Sequence, residues 1–421
     1  MGIPEVVVHD EMTKWADRYG TPLYIYRLEA VREAATALLR SIPEEACLYY
    51  SLKANPHPAL VRELVSLGIR AEVSSTGELA AALTAGTPTA EILFTGPGKT
   101  DAALREAVGA GVRRFSVESA AERTRLAAAA RARGARVEYL VRVNAATARA
   151  GGVGLRMTGT PSQFGIDADQ LDTLPKLFAA DDATRPFGFH LFPATNITDP
   201  SALHREFEAS AATVAELMRR TEFEPSMVDL GGGFAAPFAK PGPLPDYAGL
   251  RRSLSAELDR HLPGWREGRP AVAFESGRYL AAACGTLLTT VLEVKRSGGR
   301  TYAVLDAGTH VLGGMAGLGR ILAPGAEPEP VGTPENEPVS LVGPLCTPLD
   351  VLSRAAVIGP VEPGDVLCIP NTGAYGLSAS LLGFLSHPVA AEVVLDGDRD
   401  IDTRQLRLTP VALKASEGSP I

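Results

Sequence analysis

Lys53 ends a short aromatic and apolar run, YYSLKAN. A lysine at the C-terminal end of a strand in a β/α barrel faces the catalytic side. Apolar neighbours would partly desolvate the amine, lower its pKa and free it as a nucleophile. The plainer reading is a strand-end lysine that reaches out to solvent. Gly231, Gly232 and Gly233 follow another short apolar run, in VDLGGGF. Glycines let backbone N–H groups come close to a phosphate, although the same run also suits a flexible turn. Glu275, Gly277 and Arg278 lie together in FESGRYL. A buried carboxylate could keep a heterocyclic nitrogen protonated, and an arginine fork suits a phosphate or a carboxylate. An internal ion pair is the alternative. His190, in GFHLF, could stack on a flat ring or be a structural histidine. Cys346 and Asp350, in GPLCTPLD, form either a turn that presents a thiol or a site for a small buried side chain. Tyr375, in NTGAYGLS, has glycines on both sides that expose it at a loop, where it also fits as an ordinary surface aromatic.

The elements that carry these residues alternate in texture. Short β-branched or aromatic runs occur at 47–54, 71–75, 92–95, 114–117, 137–143, 187–192, 227–231 and 271–275. Between them lie stretches with helical apolar spacing, at 59–67, 78–85, 102–108, 120–133 and 202–220, and another precedes them at 28–39. Alternation of this kind predicts a parallel sheet. Eight strands favour closure into a (β/α)8 TIM-like barrel over an open doubly wound sheet, which periodicity alone leaves open. After residue 280 the pattern changes to strand-like runs at 286–294, 302–306, 338–342, 366–369 and 390–395, separated by Gly/Pro turns. This predicts a C-terminal antiparallel β-domain. The Pro- and Glu-rich stretch 326–338 reads as an exposed loop. We assign 26–278 to the barrel and 1–25 with 279–421 to the β-domain.

Composition narrows the function classes. A chain of 421 residues with net charge −8 is long enough for a barrel plus an appendage and is a poor match for nucleic acid. The four cysteines form no CxxC pair, so neither a zinc knuckle nor a disulfide framework is indicated. The N-terminus does not read as a signal peptide and no apolar stretch is long enough to span a bilayer, so the expected location is the cytoplasm.

In their order along 22–387, the segments YYSLKAN, AEVSSTGEL, QFGID, FHLF, DLGGGF, ESGRYL, GPLCTPLD and GAYG resemble the fold-type III pyridoxal-phosphate decarboxylases, the diaminopimelate and ornithine decarboxylase family. The resemblance implies pyridoxal 5'-phosphate as cofactor, with Lys53 as the Schiff-base lysine and His190 stacked on the ring. It implies Glu275 at the pyridine nitrogen and Gly231, Gly232, Gly233, Gly277, Arg278 and Tyr375 around the phosphate. Cys346 would return a proton to the substrate carbanion. It further implies a homodimer with shared sites, in which Cys346, Asp350 and Tyr375 come from the partner chain. A racemase of the same fold would place an arginine where Glu275 stands, and a non-catalytic regulator would have no need of Lys53, Glu275 and Cys346 together.

Three departures from the family pattern matter. The usual HVGSQ is HLFPATN over 190–196, which makes Thr195 the replacement phosphate contact. The usual EPGR is ESGR over 275–278. The acid that follows the cysteine in diamino-acid decarboxylases, where it meets a distal ammonium, is Thr347. With these features the chain is most similar to a subgroup from natural-product pathways that acts on amino acids tethered to an acyl carrier protein. That subgroup decarboxylates aspartyl, 3-methylaspartyl or glutamyl thioesters to β- or γ-aminoacyl products. Substrate contacts are then expected from Arg278, Asp350 and Thr347. The Gly-rich loop 144–163, with Arg149 and Arg156, would receive the carrier, or be a lid with solvated arginines.

Overall fold

The computed structural model describes residues 5–145, 155–156, 162–313, 324–330 and 337–411, and at 5–11 and 155–156 it describes the backbone alone. Helix α1 (Glu5–Tyr19) leads into strand β1 (Leu23–Arg27) and helix α2 (Leu28–Ser41). The barrel strands are β2 (Cys47–Ser51), β3 (Arg70–Val73), β4 (Ile92–Phe94), β5 (Arg114–Val117), β6 (Val137–Asn144), β7 (Thr184–Leu191), β8 (Met227–Asp229) and β9 (Ala271–Ser276). They pair in parallel in the order β5-β4-β3-β2-β9-β8-β7-β6, and β5 also pairs with β6. That last pairing closes the barrel and excludes the open sheet. The strands are largely buried on both faces, as parallel strands sheathed by helices must be.

Helices α3 (Pro58–Ser66), α4 (Thr76–Thr84), α5 (Asp101–Gly109), α6 (Ala120–Arg131), α7 (Pro200–Thr221) and α8 (Leu250–His261) cover the outside. Helices α4, α5 and α6 begin where Ser75, Thr100 and Ser119 accept a backbone N–H three residues on, and Asp199 caps α7 in the same manner. Each such cap contributes about 1 kcal/mol and fixes where a βα loop ends. Inside the barrel, Tyr49, Leu93, Leu140, Met227 and Ala273 form a separate apolar cluster. The polar site therefore rests on a filled interior and not on an open pore.

The second sheet joins β10 (Gly285–Ser297), β11 (Arg300–Leu305), β12 (Val339–Val342), β13 (Val351–Ala356), β14 (Val366–Ile369), β15 (Ala391–Asp396) and β16 (Arg399–Gln405). Its order is β13-β12-β11-β10-β1-β15-β16, with β14 also on β10. Most pairings are antiparallel, but β1 lies parallel to β15 and β11 parallel to β12. Strand β1 enters between β10 and β15, so the N-terminal segment completes the C-terminal sheet. The stretch expected as an exposed loop is in part docked. Ala326 and Pro328 are buried, and the N–H groups of Glu327 and Glu329 donate to the carbonyls of Ala239 and Cys368. No helix among the described residues is long and apolar enough to cross a membrane.

Barrel closure leaves no room at Gly188 on β7. A Cβ there would lie 1.7 Å from the carbonyl oxygen of Met227, its neighbour on β8. Gly188→Ala is expected to lower stability by about 3 kcal/mol, read as a fall in the urea midpoint. An unchanged midpoint would show that β7 and β8 separate freely.

Candidate active site

Lys53 lies in a one-turn 3-10 helix, Leu52–Ala54, directly after β2. Its Nζ is 3.4 Å from both carboxylate oxygens of Glu72. Register explains the pairing, because Glu72 on β3 stands opposite Ser51, two residues before the lysine. Glu72 is buried, and Thr95 Oγ1 donates to its Oε1 at 2.5 Å. The lysine side chain stays 40% exposed to the cavity above it and lies 5.3 Å from the Phe192 ring centroid. Burial pushes the ammonium down, but Glu72, Glu275 and Tyr375 outweigh it, and the pKa is raised above the ordinary lysine value. This corrects the expectation of a lowered pKa. The apolar run before Lys53 is real, but the carboxylates that oppose it come from other strands.

Below the lysine lies a row set by strand register. Arg142 on β6 is paired with His190 on β7, and His190 with Asp229 on β8. His190 Nδ1 is 2.8 Å from Ser116 Oγ, and its Nε2 is 3.2 Å from Glu275 Oε1. The latter contact lacks the alignment of a hydrogen bond, so both atoms are buried without one. Burial disfavours the charged imidazole, but Glu275 and Asp229 outweigh it and raise the His190 pKa. Burial likewise opposes ionisation of Glu275, yet His190 and Lys53 hold its carboxyl well below the usual range. Asp229 is pushed up to about 7, first by burial and then by the Glu275 charge. Ligand atoms of His190, Asp229 and Glu275 all lie within 4.8 Å of one another.

Beside this row the backbone is stripped of side chains. Gly231 and Gly233 adopt positive φ, 74° and 128°. A Cβ on Gly231 would sit 2.4 Å from the Leu191 carbonyl oxygen, and one on Gly232 2.5 Å from that of Glu275. A Cβ on Gly277 would come within 2.9 Å of the Ser51 carbonyl oxygen. Thr195, Gly232, Gly233, Gly277, Arg278 and Tyr375 line one small recess with Lys53 and Glu275. The Arg278 guanidinium lies 4.6 Å from the Tyr375 ring centroid. Tyr375 is at φ 56°, and its N–H donates to the Ala54 carbonyl at 2.8 Å. Tyr375 therefore reaches the recess from the same chain as Lys53, which corrects the expectation that the partner supplies it. The β-domain loop folds back over its own barrel.

The other expected residues lie elsewhere. Cys346 is exposed on a β-domain loop and lines neither cavity that Lys53 lines. Thr347 sits beside it and is half-buried. Asp350 is buried, with Oδ1 accepting from the N–H and hydroxyl of Thr309 and Oδ2 from the N–H of Leu345. Its oxygens are committed to shaping the loop that carries Cys346, which corrects its assignment as a substrate contact. Arg149 lies outside the described residues, as does the side chain of Arg156. Glu72, Arg142, Asp229 and Phe192 were not singled out from the sequence. Asp229 could have been, since it sits in VDLGGGF. The others are isolated charges or aromatics whose role follows only from which strands are neighbours.

These features fit pyridoxal phosphate. The glycine cradle leaves room for a phosphate, the buried Glu275 Oε1 lacks a donor that a protonated ring nitrogen would supply, and an amine opens onto the space between them. The Asp229 environment has a measurable consequence. An acid whose pKa rises on folding, from about 3.9 when unfolded, stabilises the fold fully below that value. The contribution is lost as pH climbs through about 7. Asp229→Asn keeps the neutral form, so its stability advantage over the parent should grow between about pH 5 and pH 8. Melting temperatures at the two pH values check this, and a constant difference would refute the raised pKa.

Comparison with known proteins agrees with the geometry. Residues 28–282 match the family described as pyridoxal-dependent decarboxylase, pyridoxal binding domain. The chain is 31% identical over 391 residues to L-glutamyl-[BtrI acyl-carrier protein] decarboxylase of Niallia circulans, covering 91% of each. It is 32% identical over 395 residues to 2-[(L-alanin-3-ylcarbamoyl)methyl]-2-hydroxybutanedioate decarboxylase of Staphylococcus aureus, covering 87% of this chain and 92% of that one. A diaminopimelate decarboxylase structure from M. jannaschii superposes with a TM-score of 0.81 at 24% identity, over 94% of this chain and 92% of that one, and so shares the fold. Matched over most of its length and carrying a site that suits the cofactor, the chain belongs to the pyridoxal-dependent decarboxylases and is a carboxy-lyase that uses pyridoxal phosphate to decarboxylate an amino acid.

Proposed function

We propose that the substrate is an aspartyl, 3-methylaspartyl or glutamyl group held as a thioester on an acyl carrier protein, and that the product is a β- or γ-aminoacyl carrier protein for natural-product synthesis. One observation carries this reading. A cavity of about 380 Å³ extends from Lys53, walled by Gly96, Pro97, Gly98, Phe164 and Phe192. Among its described lining residues Glu72 is the only carboxylate, and Lys53 and Thr95 already engage it. A distal ammonium would find no free counter-charge there, and Thr347 offers none from the β-domain loop. A thioester in place of a side-chain carboxylate brings no charge that must be desolvated. The similarity to a decarboxylase named for a carrier-bound glutamyl group supports the same reading. The loop 144–163, with Arg149 and Arg156, stands next to this cavity in the chain and is the proposed approach for an acidic carrier.

When bound, pyridoxal phosphate supplies the electron sink that accepts the pair left behind by carbon dioxide. Lys53 would anchor the group as a Schiff base, and Glu72 would hold the lysine in place whenever its amine is free. Glu275 would keep a proton on the ring nitrogen, and His190, oriented by Ser116, would pack against the ring. The glycine loop, Thr195, Gly277, Arg278 and Tyr375 would hold the phosphate. Cys346 of the partner subunit returns a proton to Cα as general acid, so the working form is a homodimer.

Lys53→Ala should lose the cofactor's visible absorbance and all turnover. Cys346→Ala should keep the absorbance and lose proper protonation. Mixing the two inactive chains should restore part of the activity, and exchange of subunits without restoration would refute a shared site. Substrate class is read by mass spectrometry of carrier proteins loaded with aspartyl, 3-methylaspartyl or glutamyl groups. A loss of carbon dioxide is expected. Efficient turnover of free diaminopimelate, lysine or ornithine with the loaded carriers ignored would overturn the proposal.

A further inference from the structure

Behind the cavity runs a chain of buried charges that the mechanism above does not use. Lys99 Nζ donates to the Gly96 carbonyl at 2.5 Å and to Glu122 Oε1 at 2.6 Å. Glu122 Oε2 accepts the N–H of Glu118 at 3.1 Å. Glu118 Oε1 accepts from Arg142 Nη1 at 3.0 Å, and its Oε2 accepts the N–H of Gly165 at 2.6 Å. Lys99, Glu122, Glu118 and Arg142 are all more than nine-tenths buried. Buried ion pairs are poor stabilisers, because apolar replacements of similar volume are often as stable or more so. What four linked charges do provide is position. This chain ties the Gly96 loop, Arg142 and the Phe164–Gly165 turn to one another, and Gly96, Arg142 and Phe164 all line the cavity that opens from Lys53.

Arg142 is where the chain meets that cavity. Its Nη1 is fixed by Glu118, and its guanidinium lies 4.8 Å from the Phe164 ring centroid. Its Nε is buried without a hydrogen-bond partner. A buried N–H left unpaired costs stability unless something supplies an oxygen. Of the other polar residues that line this cavity, Lys53 and Thr95 are engaged with Glu72, and Thr195, Arg278 and Tyr375 also line the cofactor recess, whereas Arg142 lies beside Phe164. We propose that Arg142 is a substrate-binding residue that takes the acyl oxygen of the side-chain thioester, and that Glu118, backed by Lys99 and Glu122, is the positioning residue that aims it. The assignment rests on the thioester reading above, and it fixes the side of the cavity on which the carrier arm must leave.

The test uses the holoenzyme and two amines that resemble the product and cannot be decarboxylated. One is γ-aminobutyryl-S-pantetheine, and the other is the matching thioether, which has no acyl oxygen. Binding is read from the change in the cofactor's visible absorbance. The native enzyme should prefer the thioester. Arg142→Gln should weaken the thioester roughly 10- to 100-fold, the range for a lost charge-assisted hydrogen bond, and leave the thioether within about two-fold. Arg142→Lys should recover part of the preference, and Glu118→Gln should lose part of it with the cofactor spectrum unchanged. Equal weakening of both amines would move Arg142 to the cofactor and overturn the assignment, as would a native enzyme that binds both equally. No carrier protein takes part, so a preserved thioester preference in an enzyme that ignores loaded carriers would sink the carrier proposal and leave Arg142 standing.

Discussion

One ammonium among three carboxylates organises the mouth of the barrel. Lys53 lies against Glu72, while Glu275 and Asp229 sit deeper, and His190 and Arg142 balance them from the adjoining strands. No two of these acids are near in sequence. They meet because parallel strands at matched register bring their ends to one height, so that Arg142, His190 and Asp229 form a row across three neighbours. A slip of one residue in any of those strands would turn its charged member towards the helices. The fold and the site are thus one constraint, since Leu140 and Met227 of the apolar plug lie two residues before Arg142 and Asp229 on the same strands.

The charge balance also divides labour between the two inner acids. Glu275 keeps its charge because His190 and Lys53 face it, and Asp229, pushed up to about 7 first by burial and then by the Glu275 charge, ionises far less readily. A carboxylate fixed in the ionised state opposite a ring nitrogen is what an electron-withdrawing heterocycle requires.

The barrel was legible from sequence because its strands are apolar runs separated by stretches with helical apolar spacing, and because eight such strands leave few architectures. The β-domain was legible only in part. The run RDIDTRQ of β16 is an edge strand with polar residues on both faces, and VLSRAA of β13 is interrupted by Ser353 and Arg354, so neither has an apolar period to detect. Strand β1 is apolar or aromatic except for Arg27 but only five residues long, and its partners lie more than 250 residues away. Within the site, Lys53, Glu275 and the three glycines stood out because they end strands. Glu72 and Arg142 did not, since a charge inside a strand shows its purpose only once the neighbouring strand is known. Tyr375 was recognised as a residue but placed on the wrong subunit, and Asp350 on the wrong task, because local sequence says nothing about which backbone groups a side chain will meet.

Two short contacts sew the turn that carries Lys53 to the C-terminal loop. Tyr375 donates its backbone N–H to Ala54, and the Asn55 amide donates to the Gly373 carbonyl at 2.9 Å. The residues on either side of this seam therefore cannot be exchanged as modules. A chimera that joins this barrel to the sheet of a distant relative would have to preserve the geometry of both backbone partners, or its lysine would lose the frame that aims it. Recombination within the family is for this reason expected to cross over inside the helical layer, away from this seam.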